Sequence, residues 1–263
     1  MKGVKRLVFL LMLLVLVSSV FAETEKVVVV ASTSWTGAMA KAAGADEVRV
    51  LAPFELQHPP EYDFRPSDIQ RLEAADFLVW AGYEPFIKRL QESTEFPPTQ
   101  VIRVITVNTP SNLINEVTRL GKIFGTEKKA NDWVRDFTMQ VEAMKKRAQE
   151  LGINEQRVVV QQHQEAFVRW LGYEVVGVFS AEELTPAKVM EFARLKPQVV
   201  IDNFHNPQGK GVAEVAEIPR VELRNFPSES GDDLRWLFQE NWVKLVTSVI
   251  HLKKFLGETR EIS

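Results

Sequence analysis

The sequence predicts an α/β protein built as two Rossmann-like lobes with parallel sheets, joined by a long rigid spine helix. Three observations carry that prediction. Short β-branched runs alternate with amphipathic stretches, the pattern of parallel strands covered by helices. A long helical stretch from Ser111 to Gly152 interrupts the alternation. The chain beyond it then repeats the grammar of the chain before it, so that Gly44 to Leu72 resembles Gly172 to Phe192, and each copy is followed by a strand.

Residues 23–110 form the expected N-terminal lobe. Val27 to Ala31 (VVVVA) reads as a strand buried on both faces, and Ser34 to Ala43 as the helix after it. Val48 to Leu51 is the next strand. A Pro-rich loop runs from Pro53 to Pro66, and Ser67 caps a helix through Ala74. Phe77 to Trp80 is a strand, and Val101 to Val104 follows after another helix. Residues 111–152 form a helical linker, with a break expected at Gly121 and at Phe124-Gly125-Thr126. Glu127 to Leu151 carries Trp133, Phe137, Val141, Met144 and Ala148 at spacings of three to four. At 1.5 Å per residue this spine would reach about 37 Å. Residues 153–263 form the C-terminal lobe. Its expected strands are Arg157 to Val160, Glu174 to Val178, Gln198 to Asp202 and Arg220 to Leu223. Its expected helices are His163 to Trp170, Pro186 to Leu195 and Asp232 to Leu256.

The N-terminus reads as an address. Lys2, Lys5 and Arg6 precede an almost wholly apolar run from residue 7 to 17, and Val20-Phe21-Ala22 offers small residues around a cleavage site. Residues 1–22 are therefore expected to be a signal peptide cleaved after Ala22, with the periplasm as destination. An uncleaved signal would act as a tether instead. Cleavage removes three basic side chains and leaves 29 against 35 acidic ones, a charge of −6. Such a surface has no basic patch to follow a phosphate backbone, so nucleic acid is not an expected partner.

The 263 residues include no Cys and four His. That excludes disulfides, thiolate zinc sites and Cys nucleophiles, and leaves His, carboxylates and carbonyls as metal donors. Phosphate-loop, dinucleotide-fingerprint, nucleophile-elbow and zinc-protease signatures are absent. A dispersed Ser–His–Asp set stays open, but nothing points to one, and no enzyme is expected. His58 falls in the loop after the second strand, His163 just after the strand Arg157 to Val160, and His205 after the strand Gln198 to Asp202. Open parallel sheets place ligands at these strand ends. All three imidazoles can therefore share one cleft and hold a divalent metal, with Glu61 or Asp63 completing the set. His251 sits in the C-terminal helix beside Val249, Ile250 and Leu252 and reads as structural. Trp35 and Tyr83 are candidate cleft-lining residues.

The run VVVVASTSWTGAMAKAAG, the His58 loop leading into RPSDIQRLEAADFLVWAG, the spine and VVVQQHQEAFVRWLGYEVVGV together resemble the zinc and manganese solute-binding receptors of ABC importers. The resemblance covers nearly all of the chain beyond residue 22. It implies a monomeric receptor that captures Zn²⁺ or Mn²⁺ between two lobes and delivers it to the permease transmembrane subunits. His58 and His163 match ligand positions of that family. Its middle His has no counterpart in Val101 to Pro110, and near its late carboxylate stand Glu222, a possible additional ligand, and Asn225. His205 is our substitute for the missing His. A same-fold receptor for a metal chelate such as cobalamin, haem or a ferric siderophore is the alternative, with Trp35, Phe54, Trp80 and Tyr83 as its walls.

Overall fold

A computed structural model describes residues 26–53, 56, 61–227 and 233–255, the last five by their backbone alone. The signal segment, Phe54 and His58 lie outside the described residues, as does the side chain of His251. In the N-terminal lobe the elements are β1 (Val28–Ala31), α1 (Ser34–Ala42), β2 (Glu47–Val50), α2 (Pro66–Glu73), β3 (Phe77–Trp80), α3 (Pro85–Glu92) and β4 (Val101–Arg103). Two long helices follow, α4 (Pro110–Phe124) and α5 (Glu127–Glu150). The second lobe contains β5 (Arg157–Gln161), α6 (Glu165–Leu171), β6 (Glu174–Phe179), α7 (Pro186–Arg194), β7 (Val199–Asn203), α8 (Lys210–Ala216), β8 (Arg220–Leu223) and α9 (Leu234–Phe255).

Each lobe holds a four-stranded parallel sheet, in the orders β2-β1-β3-β4 and β6-β5-β7-β8. The two orders are the same pattern shifted by four strands, so the loose internal likeness in the sequence corresponds to one topology used twice. In both, the first strand is central and aliphatic. Val30 pairs with Arg49 on one side and Leu78 on the other, and Val159 pairs with Gly177 and Val200. Strands flanked on both sides and covered on both faces need continuous apolar side chains, which is why VVVA and RVVVQ are β1 and β5.

Helix starts follow the prolines. Pro66, Pro85, Pro110 and Pro186 each occupy the first turn of a helix, where a missing N–H costs nothing. Pro66, not Ser67, thus opens α2, and the Asp68 carboxylate accepts the backbone N–H of Arg65 at 2.8 Å to close its first turn. The linker breaks at Gly125, whose φ of +70° ends α4. Gly121 is no break. It sits within α4, where a Cβ would lie 2.4 Å from the Cβ of Ala130, so its missing side chain lets α4 and α5 close into a tight hairpin. A Gly121→Leu chain is expected to lose about 2 kcal/mol by overpacking, read as a lowered urea midpoint. The helix expected from His163 begins at Glu165 and leaves His163 in the turn after β5. The short helix α8 was not expected at all.

One hydrophobic core runs through both lobes. It joins Val29 and Val79 of the first sheet to Val158 and Val199 of the second through Trp133, Phe137 and Val141 of the spine. Phe137 stacks on Trp133 and meets Phe238 of α9 edge-on, with Phe167 of α6 on the other side of Phe238. The spine is further tied down by the Trp133 indole N–H, which donates to Asp233 at 3.0 Å.

Candidate functional site

A cavity of about 480 Å³ opens between the two sheets. Its walls are the segments that leave the carboxyl ends of the strands. Thr33 and Trp35 follow β1, Tyr83 follows β3, and Asn108 follows β4. Across from them His163 follows β5, His205 follows β7, and Asn225 and Phe226 follow β8. Repeating one parallel topology face to face makes this cleft, because both sheets turn the same ends towards it.

Buried polar side chains hold these loops in place. Glu84 is fully buried and accepts hydrogen bonds from the Ser32 hydroxyl at 2.5 Å and from the backbone N–H groups of Ala81 and Tyr83, both at 3.1 Å. That fixes the β3–α3 turn against the end of β1. Asp202, also fully buried, plays the same part in the other lobe. It accepts from the backbone of Asn203, Gln208 and Gly209 and from Arg220, which pins the loop carrying His205. The backbone N–H of His163 donates to the Gln161 carboxamide at 2.6 Å. Gln164 links this turn to Asn203 and Leu223.

Two bonds seal the lobes beside the cavity. The Ser34 hydroxyl donates to the Pro227 carbonyl at 2.8 Å, and the Asn108 amide to the Asn225 carbonyl at 2.7 Å. The segment they grip presents Phe226, whose ring stacks on His205 at 3.7 Å and lies 6.4 Å from that of Trp35.

His205 is held neutral. Burial, and then the charge of Arg224, push its pKa down to about 4 against a hydrogen bond to the Phe226 backbone. With that bond occupying one ring nitrogen, Nε2 is buried without a partner and keeps its lone pair. Burial lowers the pKa of His163 as well. The depressed value makes His205 a source of acid sensitivity. The unfolded chain binds the proton near 6.5 and the folded chain near 4, so stability is full above 6.5 and is lost as pH falls between the two. A His205→Gln protein is expected to show a flatter melting temperature over that window than the parent; identical pH profiles would contradict the assignment.

The sequence candidates separate in space. His163 and His205 share the cavity, with Trp35 and Tyr83. Glu61 is exposed, and Asp63 is exposed and paired with Arg89 at 3.1 Å. Glu222 lines a different groove of about 940 Å³ between β8 and α9, and binds Arg220 at 2.7 Å. Trp80 packs with the outer core of its own lobe. Among the described residues no carboxylate lines the cavity, and no three His, Asp or Glu side chains gather in a metal-ligand cluster. Asn108 and Phe226 escaped sequence reasoning, and Asn225 entered it only as a residue near the expected late carboxylate. Their signal was position, since each lies a few residues past a strand.

No protein-family model matches the sequence, and no curated protein matches it either. Solved structures do match. The solute-binding protein FpvC of Pseudomonas aeruginosa, in complex with Ni²⁺, aligns over 90% of this chain and 98% of its own at a TM-score of 0.64 and 18% identity. The chain has its fold. The laminin-binding protein Lmb of Streptococcus agalactiae, described as an adhesin with metal-transporting activity, gives 0.67 at 14% identity, over 85% of this chain and 99% of that one. A Cd-bound periplasmic metal-binding protein of Candidatus Liberibacter asiaticus gives 0.63 at 14% identity, over 85% and 100%. The two-lobed α/β architecture expected from the sequence is thus the architecture of proteins solved with Ni²⁺, Mn²⁺ and Cd²⁺. Among the described residues, no helix is long and apolar enough to cross a membrane.

Proposed function

We propose that this protein is an exported receptor of an ABC importer that captures a divalent metal ion in the cleft between its lobes and hands it to the permease. The observation that carries this reading is the cavity at the strand ends, which holds His163 and His205 with their pKa values depressed. Neutral imidazole is the form that ligates metals. The likeness in fold to metal-loaded solute-binding proteins supports a bare ion over a chelate. We take His58, which stands between β2 and α2 in the sequence, as the third imidazole; Glu61 is an exposed carboxylate of that stretch, and Asp63 would have to leave Arg89 to join it. Glu222 stays outside this set because Arg220 holds it in the other groove.

In this reading residues 1–22 are removed on export, residues 23–110 and 153–263 are the lobes, and residues 111–152 are the linker between them. The protein binds as a monomer and performs no chemistry. The ion exchanges water for imidazole, stays in the cleft, and leaves when permease subunits engage both lobes. Zn²⁺ and Mn²⁺ are the leading cargoes.

Elemental analysis of tag-free protein from its native compartment, with calorimetric titration of the stripped chain by Zn²⁺ and Mn²⁺, tests the proposal. One ion per chain is expected, and a chain that binds neither ion would refute it. Because both described imidazoles titrate below 6.5, the affinity is expected to hold as pH falls through 6.5 and to collapse only further down, as protons displace the ion. Titrations at pH 7.5, 5.5 and 4.5 give the midpoint.

A further inference from the structure

The strand β8 ends its sheet, with β7 on one side and an open edge on the other. Along a strand the peptide groups of successive residues point to opposite sides. The Pro219 and Leu223 carbonyls accept from the backbone N–H groups of Val200 and Phe204, on the β7 side. The backbone N–H and C=O of Arg220, Glu222 and Arg224 therefore point outwards. At Arg224 both are taken by the Asn241 carboxamide of α9, at 2.9 and 2.7 Å, so that this side chain stands in for a neighbouring strand. Among the described residues nothing takes those of Arg220 and Glu222. The groove between β8 and α9 lies over them. Its lining includes the consecutive residues Pro219, Arg220, Val221 and Glu222, whose side chains alternate between the two faces of the sheet. The floor of the groove is thus the strand edge and not either face.

We infer that this edge is a docking slot for an extended segment of a partner protein, one that alternates basic and apolar residues and joins the sheet as a fifth strand. Arg220 and Glu222 offer it two backbone donors and two acceptors, the main-chain ladder of β-strand addition. Side chains of the added strand alternate as those of β8 do. On the face where Val221 and Leu223 pack with α9, they meet the exposed Val243 and Thr247, where apolar residues fit. On the other face they meet Glu222 and the exposed Glu217. The cations of the groove are already engaged, Arg220 by Asp202 and Glu222, and Lys244 by Glu240. Even with Arg224, which also reaches Glu240, three cations stand against the carboxylates of Asp202, Glu217, Glu222 and Glu240. The slot is therefore acidic and complements a basic strand. Such docking requires nothing of the cleft, loaded or empty.

The test is fluorescence anisotropy of the full chain with two rhodamine-labelled peptides, Lys-Val-Lys-Val-Lys-Val and Glu-Val-Glu-Val-Glu-Val, and with the first of them N-methylated at every peptide nitrogen. The basic peptide is expected to bind at least about tenfold tighter than the acidic one. N-methylation is expected to cost at least about tenfold, because it removes the donors of the ladder. Glu217→Lys, a change at an exposed position, is expected to weaken the basic peptide about threefold. Hydrogen exchange read by NMR locates the contact. With the basic peptide bound, the amides of Arg220 and Glu222 are expected to slow at least about tenfold, while those of Val221 and Leu223, which face β7, keep their rates. A methylated peptide that binds as well as its parent, protection that appears elsewhere, or no binding of the basic peptide would each overturn the inference. A free chain that sediments as a dimer, or binding seen only in a chain cut after Phe255, would show that this protein covers the edge itself and would refute the partner strand.

Discussion

A His163→Ala/His205→Ala double variant is expected to lose metal binding by at least about 100-fold while keeping a melting temperature close to that of the parent at neutral pH. Supporting partners of a metal ligand cost ten- to a hundredfold when removed, and direct ligands cost more. Folding should tolerate the change better. His163 lies in a turn with only its backbone N–H engaged by Gln161, and truncating it leaves that bond in place. At His205 the loss is the stack on Phe226 and the hydrogen bond to its backbone, against which stands the removal of a buried Nε2 that has no partner. Titration with Zn²⁺ at pH 7.5 beside a thermal melt separates the two effects. Undiminished affinity in the double variant would place the ion elsewhere.

The second large effect is on stability. Asp202→Ala is expected to cost about 3–4 kcal/mol, because it leaves the partly buried Arg220 guanidinium with Glu222 as its one carboxylate partner and leaves the backbone N–H groups of Asn203, Gln208 and Gly209 without their acceptor. Urea unfolding gives the number. A loss under about 1 kcal/mol would mean that water or Glu222 takes over those bonds. The same variant should weaken cation binding even under conditions where it is fully folded, since the loop that presents His205 would no longer be pinned. Asp202→Asn, which keeps one acceptor oxygen, is expected to fall between the two.

Strands and helix starts were legible because their causes are local. A central parallel strand needs uninterrupted aliphatic residues, and Val28 to Ala31 and Val158 to Val160 say so directly. A proline in a first turn announces itself, as at Pro110 and Pro186. Gly121 misled because a glycine that breaks a helix and one that lets another helix approach look alike until Ala130 is seen beside it. The helix α8 was missed because seven residues containing Gly211 show little periodicity. In the site, His163 and His205 were readable from their place after strands. The amides were not, since whether Asn108 or Asn225 has a partner depends on the other lobe. Nor does the sequence show that Arg220 engages Glu222 and Asp202 together.

If the protein is the metal receptor proposed above, the apolar core that threads both lobes and the spine bears on how cargo leaves the cleft. Swinging the lobes apart as rigid bodies would pull Phe137 from Phe238 and expose the aliphatic packing between the sheets, a cost comparable to partial unfolding. On the metal-receptor reading the ion therefore leaves through the loops at the mouth, which are joined across the cleft by the bonds Ser34 to Pro227 and Asn108 to Asn225. Loop openings run on nanosecond-to-microsecond scales, so the slow step of escape is breaking the bonds to the ion. A docking partner that parts those two bonds would open this route without having to move a lobe.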